Sequence, residues 1–193
     1  WAQRYQGWIA RSGLDGENVE NVLLSIVDPW AFVVDSLRGH LYWVDRNGTR
    51  RANLDGTGVV PVLLPFEAWG GMAFDGEARE LYWPHGKSDS SQEGIRRAAV
   101  DVLPLDPVDV IQDDDLWSAI SVDVGSRQLF WFDYFSRTLR RAMLDGTPLD
   151  PTATVTNPVP RMVIHPLTHE VFFLEEGQVR RVSPEGGPIG TLP

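Results

Sequence analysis

Short apolar runs separated by turn-forming residues follow one another along the whole chain, and no apolar stripe of helical period is sustained. Runs of this length rich in Val, Ile, Phe, Tyr and Trp read as β-strands, so the pattern predicts an all-β chain with scarcely a helix. The runs also recur in a fixed order. An aromatic run, LYWVD (Leu41 to Asp45), returns as LYWPH (Leu81 to His85), LFWFD (Leu129 to Asp133) and VFFLE (Val171 to Glu175). A shorter run precedes it each time: FVVD (Phe32 to Asp35), MAFD (Met72 to Asp75), ISVD (Ile120 to Asp123) and MVIH (Met162 to His165). A double-arginine run follows it: RRANLDG (Arg50 to Gly56), RRAAVD (Arg96 to Asp101), RRAMLDG (Arg140 to Gly146) and RRVSPEG (Arg180 to Gly186), with a degenerate copy, ARSGLDG (Ala10 to Gly16), near the start. A weaker apolar run, such as Val59 to Leu64 or Val108 to Gln112, closes each unit. The anchor acids Asp15, Asp55, Asp101, Asp145 and Glu185 stand 40, 46, 44 and 40 residues apart.

Four strand-like runs in every 40–45 residues are the mark of a β-propeller blade. Runs such as LYWV are apolar on both faces, as a sheet sandwiched between two neighbours requires, whereas a one-sided sheet would alternate. The chain is therefore expected to be one propeller over residues 1–193, of about five four-stranded blades near 1–27, 28–65, 66–112, 113–156 and 157–193. Trp1 precedes Asp15 by the interval that separates Trp131 from Asp145, so the first blade is expected to be incomplete, without its innermost strand.

LYWVD followed by RRANLDGT resembles the YWTD (class B) repeat of the low-density-lipoprotein receptor family propellers. Four copies locked in phase with the arginine and LDG elements carry the likeness over nearly the whole chain. The resemblance implies a propeller, usually of six blades, an extracytoplasmic or secreted setting, and protein or peptide ligands docking on the face around the channel mouth. The family's Cys-rich flanking modules are absent, so a receptor role does not carry over; high Arg, scarce Lys and no Cys lean towards a bacterial relative.

Composition narrows the functional classes. There is no Cys, which excludes disulfides, thiolate metal sites and thiol catalysis. A net charge of -10 argues against nucleic acid and anionic membranes, and no run approaches the ~18 apolar residues of a membrane span. Lys87 is the sole lysine among 17 basic residues, and arginine is the residue of fixed, bidentate ion pairs. No hydrolase, zinc or phosphate-loop motif occurs, the four His residues are scattered, and no cofactor is expected.

A feature present in every copy reads as scaffold. The second arginine (Arg11, Arg51, Arg97, Arg141, Arg181) is expected to pair with the acids that end the aromatic run (Asp45, Asp133, Glu175) and so to tie strands or blades together. The motif aromatics are expected to form the core between blades. Asp35, Asp75 and Asp123 are expected to bond backbone amides in tight hairpins, and Asn47-Gly48-Thr49 reads as a hairpin turn rather than a glycosylation site. Function should lie in the departures. Trp30, Trp69 and Trp117 each stand just before an innermost strand with an acid two residues earlier: Asp28, Glu67 and Asp115. On extended backbone, residues i and i+2 point the same way, so an arc of indoles backed by carboxylates is expected at the channel mouth, suited to an ammonium or guanidinium group; the bland reading is that each Trp caps the core. The insertion from Pro84 to Gly94, with Lys87, should project from the same face. The leading functional reading is a non-enzymatic protein- or peptide-binding module. The alternative is a self-associating module, a homodimer in which a second chain closes an open arc. A calcium-dependent propeller hydrolase or lactonase, with Asp113 to Asp115 as a weak calcium candidate, ranks last.

Overall fold

The structure, a computed structural model, describes residues 1–63, 70–86, 93–112, 119–133, 135–156 and 158–191, with backbone alone at 158–160. Among these residues every regular element is a β-strand. Blade 1 holds β1 (Ala2–Gln3), β2 (Trp8–Arg11) and β3 (Glu20–Leu24); blade 2 holds β4 (Ala31–Asp35), β5 (His40–Asp45), β6 (Gly48–Asn53) and β7 (Val60–Leu63). Blade 3 consists of β8 (Ala73–Asp75), β9 (Glu80–His85), β10 (Gly94–Ala99) and β11 (Val108–Gln112). Blade 4 consists of β12 (Ile120–Asp123), β13 (Gln128–Asp133), β14 (Thr138–Met143) and β15 (Ala153–Thr154), and blade 5 of β16 (Pro158–Ile164), β17 (Val171–Glu175), β18 (Gln178–Val182) and β19 (Gly190–Thr191). Every sheet is an antiparallel meander in chain order, and the five sheets make a five-bladed β-propeller. Among the described residues the first blade has three strands, β1 answering to the aromatic strand, and no innermost strand pairs with it, as expected.

Strand parity explains the two-faced apolar runs. Tyr42 and Val44 point towards blade 3, where they meet Leu81 and Trp83. Tyr82 meets Leu129 and Trp131 of blade 4. Phe130 and Phe132 meet Val171 and Phe173 of blade 5. Leu41 and Trp43 point the other way, onto Ile9 and Leu23 of blade 1. Each junction thus places the second and fourth apolar positions of one aromatic strand against the first and third of the next. Four such cores join the five blades in series, and among the described residues none joins blade 5 to blade 1.

The LDG element has its own junction role. Gly56 and Gly146 adopt left-handed backbone, and a Cβ on either would fall 2.0 Å from the Val22 carbonyl oxygen and 2.4 Å from that of Val110, each on the fourth-position strand of the preceding blade. Only glycine allows that approach. The preceding acid closes the turn: Asp55 accepts the Thr57 amide at 2.9 Å, and Asp145 that of Thr147 at 2.9 Å.

Burial decides what each aromatic is worth. Phe130 is fully buried, so Phe130→Ala should cost about 3–5 kcal/mol in urea denaturation. Phe172, its counterpart on blade 5, is only half-buried, and Phe172→Ala should cost about 1–2 kcal/mol.

Candidate functional site

The innermost strands β4, β8, β12 and β16 run beside one another around the axis. They enclose an open concavity of about 310 Å3. It is lined by Val33, Val34, Met72, Ala73, Phe74, Ile120, Ser121, Val122 and Met162, and the surface it presents is more polar than apolar, since the innermost strands are the edges of their sheets. These side chains come from the second repeated run, whose Val, Ile, Met and Phe are strand formers with no charge before the terminal acid.

One rim of this channel is a ladder of charge. Asp35, Asp75 and Asp123, at the ends of β4, β8 and β12, are buried. Each caps its own turn as expected: Asp35 accepts the Arg38 amide (3.1 Å), Asp75 those of Glu77 and Ala78 (2.9 and 3.0 Å), and Asp123 that of Gly125 (3.1 Å). Each also receives a basic side chain from the next blade. Arg79 Nη1 lies 2.9 Å from Asp35 Oδ2 and its Nε 2.8 Å from Asp101. Arg127 Nη1 bonds Asp75, and His169 Nδ1 lies 2.8 Å from Asp123 Oδ2. The three donors occupy equivalent left-handed positions at the entry of the aromatic strand, with φ of 58°, 57° and 60°. Gly39 takes this place in blade 2, whose predecessor has no innermost strand and so no acid to receive a cation. The sequence reading missed these links. The signal was the Arg or His four residues after the run-ending residue in blades 3 to 5.

Of the predicted aromatic arc the structure describes one member, Asp28 and Trp30, which lie just before β4. Glu67, Trp69, Asp115 and Trp117 lie outside the described residues, as do Lys87, Asp113 and Asp114. In the member described, Arg4 bonds Asp28 through both carboxylate oxygens, Arg46 reaches it at 3.4 Å, and the Trp30 indole donates to it at 3.3 Å. Arg4, aided by Trp30, draws the Asp28 carboxyl down to about 2. Trp30 itself packs against the core between blades 2 and 3. The Asp28–Trp30 pair is thus an internal fastening, its charge already matched by the chain's own guanidinium groups.

The repeated arginines form pairs, with partners other than those expected. The acids that end the aromatic strand are met by the first arginine: Arg140 Nη2 lies 2.8 Å from Asp133, and Arg180 Nε 3.3 Å from Glu175. Asp45 instead accepts the Trp43 indole (3.2 Å) and the Asn47 amide (2.7 Å). The second arginine points to the other face and meets the residue that opens the aromatic strand. Arg97 bonds Glu80 at 3.0 Å, Arg141 reaches Gln128 at 3.3 Å, and Arg181 lies 3.6 Å from Glu170. Arg51 stands opposite Tyr42, and Arg11 pairs with Glu20 while donating to the Leu54 carbonyl of blade 2. Beside Arg97 and Glu80, burial pushes the Tyr82 phenol up to about 12. The physical reason for the exchange of partners is parity: Trp131 and Asp133 share a face, and Arg140, opposite Trp131, shares it too.

Among the described residues no group of three or more His, Cys, Asp or Glu is placed to hold a metal ion, and no helix is long and apolar enough to cross a membrane. No protein-family model matches the chain. Among solved structures it overlays a chain of the nidogen/laminin complex with a TM-score of 0.78 at 18% identity, covering 94% of this chain and 69% of that one. A putative TolB from Agrobacterium tumefaciens gives 0.78 at 10% identity, over 96% of this chain and 73% of that one. A gluconolactonase from Xanthomonas campestris gives 0.67 at 17%, over 92% and 65%. At these identities the likeness is one of fold.

Two measurements test the rims. Arg79 is largely buried and holds a buried carboxylate, so Arg79→Met should destabilise by about 3 kcal/mol, and adding Asp35→Asn should recover part of the loss. The depressed Asp28 carboxyl makes its ionised form stabilising above its unfolded value of about 3.9, a contribution lost as pH falls through about 2. Asp28→Asn should flatten the fall in melting temperature between pH 4 and 2.

Proposed function

We infer that the chain is a non-enzymatic binding module for a protein or peptide, and that its ligand docks over the channel and inserts an apolar side chain. The observation that carries this reading is the open concavity of about 310 Å3, where Val, Ile, Met and Phe residues stand among the polar backbone edges of the innermost strands. Pockets of this kind gain affinity from apolar burial and direction from a few polar groups at the rim. A chain of the nidogen/laminin complex, with which this one shares its fold, belongs to a protein–protein assembly, which supports a protein ligand here. The sequence-based expectation of a basic group on the ligand finds no support at Asp28, which Arg4 and Arg46 neutralise.

The hydrolase or lactonase reading has a gluconolactonase among the proteins of like fold. It needs acidic groups turned to the channel, whereas Asp35, Asp75 and Asp123 are engaged by Arg79, Arg127 and His169.

Peptides selected from a displayed random library on the folded chain test the binding reading. They should share one large apolar residue, and Val34→Glu should weaken them at least tenfold with the melting temperature held within about 2 °C, since Val34 is exposed. Binding unchanged by Val34→Glu and by Met162→Glu would overturn the channel as the site. Calcium titration by calorimetry tests the other reading: stoichiometric, tight uptake would restore it.

A further inference from the structure

The residue just before each aromatic run of blades 2 to 5 is His40, Glu80, Gln128 and Glu170 in turn. In three of these blades it has one duty. Glu80 Oε2 accepts the Tyr82 hydroxyl at 2.9 Å and Arg97 Nη1 at 3.0 Å. Gln128 Oε1 accepts Arg141 Nη1 at 3.3 Å, and Glu170 Oε1 lies 3.6 Å from Arg181 Nη1. Blade 2 keeps the phenol and the guanidinium: Tyr42 stands opposite Arg51 as Tyr82 stands opposite Arg97. With His40 at its head, it lacks the oxygen that the two donors share in blade 3.

The result is a set of unmatched donors. Tyr42 is fully buried, and its hydroxyl has no hydrogen-bond partner among the described residues. Burial pushes this phenol up, so it stays a neutral donor. His40 Nδ1 is likewise buried and unpartnered among the described residues. Arg51 lies beside the phenol and, among the described residues, pairs with no acid. The charge is also unbalanced. Three guanidinium groups, Arg51, Arg79 and Arg38, face His40 together with one carboxylate, Asp35. Arg79 already holds that carboxylate and Asp101 as well.

We propose that this end of blade 2 is a carboxylate-binding site, in which a ligand's carboxylate takes the place that Glu80 holds in blade 3, between the Tyr42 hydroxyl and the Arg51 guanidinium. The His40 ring covers that place, edge-on to Tyr42 with centroids 6.2 Å apart. No bond to Nδ1 holds it there, and a buried nitrogen without a partner carries a desolvation cost that turning the ring out to water relieves. The same turn uncovers the phenol and the guanidinium together. A carboxylate suits them because guanidinium holds it in a planar, charge-assisted bond. Its single charge balances the one guanidinium in excess of Asp35 and Asp101, which a doubly charged phosphate would overshoot. Burial, and then Arg51, hold the His40 imidazole below its ordinary value, against the pull of Asp35. Turned out to water the ring regains its proton, so binding takes up a proton and strengthens as pH falls. The site lies at the other end of β5 from Val44, on which Trp30 is bonded, and outside the channel lining, so it stands whatever the channel binds.

The test titrates the full chain with acetate and with triglycine, reading the Arg51 Nε–H signal by NMR. The signal should shift and saturate, with affinity about three- to tenfold higher near pH 6 than near pH 8. His40→Ala should bind more tightly and lose the pH dependence. Arg51→Gln, followed on the backbone amides of β5, should bind about tenfold more weakly. His40→Glu supplies the missing oxygen from within the chain, so it should melt about 2–4 °C higher and lose the response to acetate. Tighter acetate identifies a small organic acid as the source of the carboxylate and tighter triglycine a peptide terminus; either supports the site. Shifts that never saturate, or that persist undiminished in His40→Glu, would overturn the proposal.

Discussion

No blade of this protein can bury its own apolar surface. Each aromatic strand in blades 2 to 4 is apolar on both faces, so a blade standing alone would expose a row of Tyr, Trp or Phe to water on each side. Stability therefore arises between blades rather than within them, as in other repeat architectures, where nearest-neighbour interfaces supply what a single unit lacks. The alternation of residue types along the strand follows from this. A junction receives Tyr and Val, or two Phe, from one side and Leu and Trp, or Val and Phe, from the other, so unequal rings interlock instead of stacking face on face.

The polar features are consequences of the same stacking. Once a neighbouring blade covers the end of an innermost strand, the carboxylate there loses water and must be matched locally. The blade that removes the water also supplies the match, as Arg79, Arg127 or His169. Removing one partner of such a buried pair is costly even where the pair itself adds little net stability. The ladder's clearest effect is to fix how each blade is set against the last. The LDG glycines do the same at the rim, where backbone of one blade rests on a carbonyl of the blade before it. Arginine suits these places better than lysine because its planar fork can hold two acceptors, as Arg79 holds Asp35 and Asp101.

Repetition made the fold legible and the links obscure. The blade count, the shortened first blade and the buried positions of Tyr42, Trp43, Tyr82, Trp83, Phe130 and Trp131 follow from runs that keep phase over the whole chain. Partner choice does not, because both ends of each link recur in every repeat: Asp35 has an Arg or His in several repeats to choose from, and only the handedness of the stacking picks Arg79, 44 positions on. The assignment of motif acids to the first arginine rather than the second was within reach of the sequence, since counting residues across the hairpin places Arg140 on the face of Asp133. The Asp28–Trp30 pair was read correctly as a couple; its counter-ions Arg4 and Arg46 hold one repeat position, just after the aromatic run, but the other copies have Gly86, Tyr134 and Glu176 there, so the repeat did not mark that position as basic.

That redistribution of charge bears on what can enter the channel. The chain carries a net charge of -10, yet the acids at the ends of β4, β8 and β12 are bonded to neighbouring Arg and His side chains and the described lining residues carry no charge. An ammonium group pushed to that depth would meet backbone of the innermost strands and the Ser121 hydroxyl but, among the described lining residues, no carboxylate to balance its charge. A Leu, Met or Phe side chain would give up nothing and exchange water for Val34, Phe74 and Met162. On the proposed binding reading, attraction for a basic ligand would belong to the outer surface, acting on approach and orientation, while the channel would select by shape. The same division explains how a strongly acidic surface can coexist with an uncharged centre: each carboxylate at the end of an innermost strand is turned into a junction fastener before it can face the axis.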